Sequence, residues 1–313
     1  MKFLIVFLLV FSTFASERLN KVFHFPKKGE LKSDFRIQFK RWNYEYEDDA
    51  QTDGIEDILE AEKMAYTFTP TLSYVFATDW MLSLSAAWQF DVIDTHLELN
   101  DESRDVERSE KEALHSPQLF IRKRVSSEED YFFDIEFSYL VKTHSNLEPT
   151  INISQGQMIS GSNIYSLKSI NSFKAFDSYF KLFFQVDYHT FYRKRLAIFD
   201  EIFETRDFYG LRFGLAYLHE FNQNHDILFG LEASLFDSFQ MKGMNQSITF
   251  RENIGRTIAL KYSYRKYEET FGIPYFSFNQ TFELHKFSYG SPEKDITSDN
   301  TFTHISIGLE RVF

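Results

Sequence analysis

Met64-Ala-Tyr-Thr-Phe-Thr-Pro-Thr-Leu-Ser-Tyr-Val-Phe76 alternates without a break. Tyr66, Phe68, Pro70, Leu72, Tyr74 and Phe76 share one face; Thr67, Thr69, Thr71 and Ser73 share the other. Successive side chains of an extended chain point to opposite sides, so period two predicts a strand with one apolar and one polar face. The next segment repeats it, with Leu82, Leu84, Ala86, Trp88, Phe90 and Val92 opposing Ser83, Ser85, Gln89 and Asp91. Phe133, Ile135, Phe137, Tyr139 and Val141 oppose Asp134, Glu136 and Ser138; Phe180, Leu182, Phe184, Val186 and Tyr188 oppose Lys181, Gln185, Asp187 and His189. Apolar faces this continuous and this aromatic do not suit ordinary surface strands.

The composition fits a β protein of unusual surface. The 313 residues include 37 Phe and 17 Tyr, only 12 Gly and 6 Pro, and no cysteine. That profile excludes collagen-like, disulfide-stapled and disordered classes, and it excludes thiolate metal sites. Phe3–Phe11 is the one continuously apolar run, far short of the roughly 18–20 residues a membrane helix needs. Behind Lys2 and ahead of the small residues Thr13 and Ala15, that run has the secretory pattern. Residues 1–15 are therefore expected to be a signal peptide, 16–32 a periplasmic N-terminal segment and 33–313 the folded unit.

Strands are expected near 33–46, 64–77, 80–92, 116–125, 131–142, 164–176, 179–192, 207–221, 227–239, 247–265, 275–289 and 301–313. Short turns (Thr78-Asp79, Ser126–Asp130, Asp177-Ser178, Asn222–Asp226) alternate with long polar connections near 47–63, 93–115, 143–163, 193–206, 240–246 and 290–300. The expected fold class is all-β: a closed antiparallel transmembrane β-barrel of about twelve strands, with long extracellular loops and short periplasmic turns. Closure is required because unpaired backbone groups in hydrocarbon are costly. A secreted β-sandwich would bury its apolar faces in a shared core and has no need of this alternation of turns and loops. Pro70 stands against a closed barrel, since it forfeits one ladder hydrogen bond.

At the C-terminus Thr303, Ile305, Ile307, Leu309 and Phe313 share one face, and His304, Ser306, Gly308 and Glu310 the other. This amphipathic segment with a terminal Phe resembles the final strand of Gram-negative outer-membrane β-barrel proteins. The resemblance spans the chain after the signal and points to a class, with no particular member. It implies outer-membrane lipid and lipopolysaccharide as surroundings, and the barrel-assembly machinery as a partner that reads the last strand. Arg311 departs from the pattern, which has an apolar residue there, and is expected to snorkel at the membrane edge.

The formal net charge is −12. Two of the long connections hold nearly all of the excess: Glu47–Glu62 has eight acids, and Asp94–Glu112 has eight more against three bases. A solvated, repulsive outer rim is the plain reading; cation binding, as a bridge to lipopolysaccharide phosphates or at a pore mouth, is the functional one. Within the first of them, Asp49, Asp53, Gly54, Asp57 and Glu60 fall at calcium-loop spacing. Asp49, Asp53, Asp57 and Glu60 are thus candidate calcium ligands, although Gln51 and Glu56 break the motif and flanking helices are absent. No other cofactor is expected.

If the apolar faces meet lipid, the opposite faces line a lumen. The basic candidates are Arg36, Lys40, Arg122, Arg124, Lys181, Arg212, Lys261 and Arg265; the acidic ones are Asp91, Asp134, Glu136, Asp187, Glu232, Glu283 and Glu310. His189, His285 and His304 join them. Near balance of sign fits a weakly selective channel or an interior sealed by ion pairs, because selective pores display one dominant sign. If His285 pairs with His304, Glu283 falls opposite Ser306, and a metal site or a base beside a hydroxyl nucleophile becomes conceivable.

Other functions find less support. His144-Ser145-Asn146-Leu147 lacks the spacer and glycine of the outer-membrane phospholipase motif. An autotransporter needs a passenger that the segment before the first strand is too short to supply. Leu196, Ile198, Phe199, Ile202 and Phe203 have helical spacing and suggest a lid or a loop-packing patch. The basic stretch Lys21–Lys32 is either disordered or enters the lumen, and no nucleic-acid patch or nucleotide loop is present. The expected function is a porin-like channel for small solutes; the alternative is a non-conducting barrel that uses its acidic loops for surface interaction or structural support. No enzymatic activity is expected unless the last hairpin supplies it.

Overall fold

The computed structural model describes residues 25–48, 57–99, 102–128, 130–141, 163–175, 178–191, 193–196, 201–222, 225–236, 240–243, 249–266, 272–289 and 294–313. In chain order the strands are β1 (Leu31–Asp48), β2 (Asp57–Ala77), β3 (Trp80–Leu99), β4 (Glu102–Glu128) and β5 (Tyr131–Leu140). There follow β6 (Ile164–Ala175), β7 (Ser178–His189), β8 (Arg193–Leu196), β9 (Glu201–Thr205) and β10 (Phe208–Asn222). The last are β11 (His225–Phe236), β12 (Gln240–Gly243), β13 (Thr249–Lys266), β14 (Ile273–Tyr289) and β15 (Lys294–Val312).

Twelve of these close into one antiparallel barrel: β1 to β7, β10, β11 and β13 to β15. β1 returns onto β15 from Lys32↔Val312 to Asp48↔Ile296. The seam between β11 and β13 runs from His225↔Lys266 to Phe236↔Gly255. The three short strands extend the wall: β12 pairs with β13, β9 with β12, and β8 with β9.

Several expected loops are therefore strand. Residues 93–99 and 102–110 continue the β3–β4 ladder out to Leu99↔Glu102, so the long connection 93–115 shrinks to residues 100–101. β2 already pairs at Asp57↔Asp48, and β15 at Lys294↔Tyr289. The described parts of 193–206 are the β8–β9 hairpin and not a helical lid. The reason is physical. Backbone pairing needs no apolar face, so apolar alternation ends before hydrogen bonding does.

Pro70 fits the barrel after all. It pairs with Phe35 of β1, while the ladder to β3 passes from Phe68↔Trp88 to Thr71↔Ser85 without Thr69 and Pro70 and keeps its register. The missing donor thus falls at an interruption, beside the bulge that β3 forms against β4 at Ser85/Ala87.

Burial is inverted relative to a soluble sandwich. The apolar face of nearly every barrel strand is exposed, reaching 63% at Ile37 and 66% at Ile307, which face each other across the β1–β15 closure. Thr67, Ser73, Ser83, Ser138, Ser166, Ser172, Asp134 and Asp187 are buried. Two aromatic rows cross the outer surface. Tyr139, Tyr165, Tyr188 and Tyr209 touch in succession on β5, β6, β7 and β10, with ring centroids 4.7, 6.2 and 5.3 Å apart. Nearer the β6–β7 turn, Phe173, Phe180 and Tyr217 touch at 5.5 and 5.4 Å. On each of these three strands the rows lie eight residues apart (Tyr165 and Phe173, Tyr188 and Phe180, Tyr209 and Tyr217). At about 3.3 Å per residue and a barrel tilt of roughly 40°, that is about 20 Å along the barrel axis.

Candidate functional site

The inward face is polar for most of its height and apolar at the end where Leu31 pairs with Phe313. There Phe132, Tyr179 and Leu218 form a buried cluster with Leu228 packed against it. The N-terminal segment reaches this region. Glu30 N–H donates to the Lys27 carbonyl at 3.0 Å and Lys27 N–H to the Glu30 carboxylate at 2.6 Å, so residues 27–30 form a turn. Gly29 takes φ +88° within it, a conformation that favours glycine, and donates to the Val75 carbonyl at 2.9 Å. Beyond the turn Pro26 is buried, and the Phe25 ring reaches across to β4, 4.9 Å from the Arg124 guanidinium and 6.0 Å from that of Arg122. Arg124 also lies 4.1 Å over the Phe132 ring and is thus held between two aromatics.

One carboxylate holds both arginines. Asp134 Oδ1 accepts from Arg124 Nε at 2.9 Å, and its Oδ2 accepts from Arg122 Nε at 3.1 Å and from Arg122 Nη2. The Asp134 side chain is 1% exposed, and those of Arg122 and Arg124 are 14% and 6% exposed. Further round the wall Arg212 pairs with Asp187 at 2.7 Å, with Gln185 also donating to that carboxylate at 2.7 Å. Lys261 pairs with Glu232 at 2.5 Å, Lys32 with Glu310 at 2.9 Å and Arg36 with Asp34 at 3.6 Å. Tyr275 donates to Asp34 at 2.8 Å. A polar cavity of about 350 Å³ lies against β1, β11 and β13 to β15, among Arg36, Lys261, Arg265, Tyr275, His304 and Glu310.

Two glycines let aromatic rings lie flat on the inner wall. A Cβ at Gly214 would stand 2.3 Å from Phe183 Cε1, and one at Gly308 would stand 2.2 Å from Tyr275 Cζ. Phe183 in turn supports the Lys168 ammonium, 4.1 Å from its ring centroid. Gly→Ala within a strand normally gains about 0.5–1 kcal/mol in chain entropy. Gly214→Ala is expected to reverse that sign and destabilise the barrel by about 1–3 kcal/mol, because Phe183 must leave its bed. Urea unfolding followed by tryptophan fluorescence checks it.

The sequence-derived residues fall into groups. Arg122, Arg124 and Asp134 meet directly, and Glu136 lies between Arg122 and Lys168 in register. His189 stacks on Phe208 with centroids 4.4 Å apart, a packing contact. Lys40 donates to Gln89 at 3.5 Å, and Glu283 pairs in register with Asn300. The side chains of Asp91 and His285 lie outside the described residues. So do Asp49 and Asp53, whereas Asp57 and Glu60 are extended strand opposite Asp48 and Glu45. Among the described residues no three His, Asp or Glu side chains converge as a metal site would require.

The proposed His285–His304 pairing does not form. His304 pairs with Asn279, His285 with Ser298, and Ser306 with Ser277, their hydroxyls 2.5 Å apart. The expected loop 290–300 is only residues 290–293, which slides the register by six and separates the two histidines along the strands. Lys32, Asp34, Lys168 and Lys174 also occupy polar-face positions and were absent from the sequence-derived set. Extending the alternation of β6 from Ser166 would have found Lys168 and Lys174.

No family model matches the chain, and no curated protein matches its sequence. Solved structures do match. An outer membrane channel from Pseudomonas putida F1 aligns with a TM-score of 0.52 and 9% identity, over 92% of this chain and 97% of that one. A FadL homologue from Pseudomonas aeruginosa aligns at 0.40 with 8% identity, over 90% of both chains. The outer membrane protease OmpT of Escherichia coli aligns at 0.38 with 8% identity, over 90% and 97%. The first similarity establishes a shared fold. The other two, at their TM-scores, establish nothing further.

Proposed function

We propose that this chain spans a Gram-negative outer membrane and passes small charged solutes through its mixed-charge lumen. The observation that supports this most is the inverted burial, with an apolar exterior bounded by two aromatic rows about 20 Å apart, close to the height of a barrel's lipid band. A soluble protein would not display so large an apolar surface. The solved structure that shares the fold is described as an outer membrane channel. In this reading residues 1–15 direct export, the β15 end is read by the assembly machinery, and the end marked by Asp48↔Asp57 and Leu99↔Glu102 faces the cell exterior near lipopolysaccharide. Arg311, at the opposite rim, lies 4.8 Å over the Phe313 ring, as an interfacial cation would.

A non-conducting barrel is the second reading, and the apolar cluster at the terminal end favours it. Single-channel recording of the purified chain in a planar bilayer tests both. Reproducible steps that depend on salt concentration are expected. Silence from protein shown to be folded by heat-dependent gel mobility would refute the channel and favour the sealed barrel.

A further inference from the structure

The lumen holds more cation than its carboxylates neutralise, and the excess is local. Asp134 is occupied by Arg122 and Arg124, Asp187 by Arg212 and Glu232 by Lys261, which leaves Glu136, in register with Lys168, to face these lysines. Lys168 makes a ring contact with Phe183 and no ion pair, and Lys181 makes neither a hydrogen bond nor an ion pair among the described residues. Both are half-buried on the inward face of adjacent strands; Lys168 lies opposite Gln185 and Lys181 opposite Ser172, and the Phe183 ring beneath the Lys168 ammonium belongs to the residue two beyond Lys181 on the same face of β7. The charges nearest Lys181 are three cations, Lys168, Arg122 and Arg265, against one carboxylate, Glu136, while Lys168 faces Glu136 and Glu232 against Lys261 and Arg212. Ammonium groups gathered in a partly desolvated space repel one another unless an anion joins them. The ring beneath Lys168 fixes its position, and each ammonium directs three donors.

We infer that Lys168 and Lys181 form a subsite for a small oxyanion, phosphate or carboxylate, inside the lumen. As a transit site it rests on the channel reading, and it sets anions as the solute class despite the protein's overall charge of −12. Binding itself does not need conduction. Lysine binds such groups as a point charge, so selectivity among oxyanions follows their charge more than their shape.

The test is calorimetric titration of the detergent-solubilised full chain with inorganic phosphate and, separately, acetate at low salt. It is repeated on a Lys168→Gln/Lys181→Gln variant whose folding is checked by heat-dependent gel mobility. Saturable binding is expected, tighter for phosphate, with affinity lowered at least about tenfold in the variant. Absence of binding by the native chain, or equal binding by the variant, overturns the subsite. In bilayers the native chain is expected to favour chloride over potassium, with phosphate reducing the chloride current. Current without that preference, together with no phosphate binding, overturns the subsite but leaves the channel; current without it beside lysine-dependent binding overturns its role in transit. Intact phosphate binding with a silent bilayer overturns the channel and keeps the subsite.

Discussion

Replacing Asp134 with Asn is expected to destabilise the barrel by about 3–5 kcal/mol, the range for removing one partner from a buried ion pair. Two guanidiniums bond to this carboxylate, and neither has easy access to water. Asn keeps the volume and one acceptor, so packing is nearly unchanged and the loss is electrostatic. Arg122 has some recourse to Glu136, its register neighbour, whereas Arg124 is fixed between Phe25 and Phe132. The measurement is the urea midpoint of the chain folded in lipid vesicles, compared with Asp187→Asn. The latter removes a carboxylate of equal burial whose partner, Arg212, is 39% exposed and can turn to water. Its cost should be about 1 kcal/mol or less. Equal losses in the two variants would mean that burial of the cation does not govern the cost.

The barrel was legible in the sequence because an apolar exterior imposes a repeating demand on one face. Tyr66 to Phe76, Leu82 to Phe90 and Phe180 to Tyr188 show it, and the structure exposes most of these side chains. Where the apolar exterior stops the demand stops, so the far ends of β3 and β4 read as acidic loop although they are paired to Leu99↔Glu102. Inward positions followed from parity alone, which is why Arg122, Arg124 and Asp134 could be named. Their convergence on one carboxylate could not, because it depends on rotamers and on register between strands. The last hairpin shows the same limit. Parity allowed His285 to face His304, and the four-residue connection chose otherwise. Nothing in the local pattern announced Phe25, whose place depends on where the 27–30 turn sends the preceding chain.

Phe25→Ala is expected to raise single-channel conductance several-fold. Its ring extends inward from a segment anchored on Val75 and reaches Arg124, three strands away from β1 around the wall. It thereby occupies the same level as Phe132, Tyr179, Leu218 and Leu228, where apolar side chains meet instead of hydroxyls and charges. An apolar constriction resists ion passage by dewetting as well as by size, so removing one ring acts on both. The substitution also gives up the contact with the Arg124 guanidinium, about 1–2 kcal/mol for a partly desolvated cation on an aromatic face. Arg124 then keeps Asp134 and Phe132, so the barrel should remain folded and the conductance remain interpretable. Unchanged steps would place the narrowest point away from this segment. Steps in the variant but not in the native chain would make the N-terminal segment the seal. Silence from both folded proteins would assign the seal to the Phe132–Tyr179–Leu218 cluster, with Leu218→Ser as the substitution that should then open it.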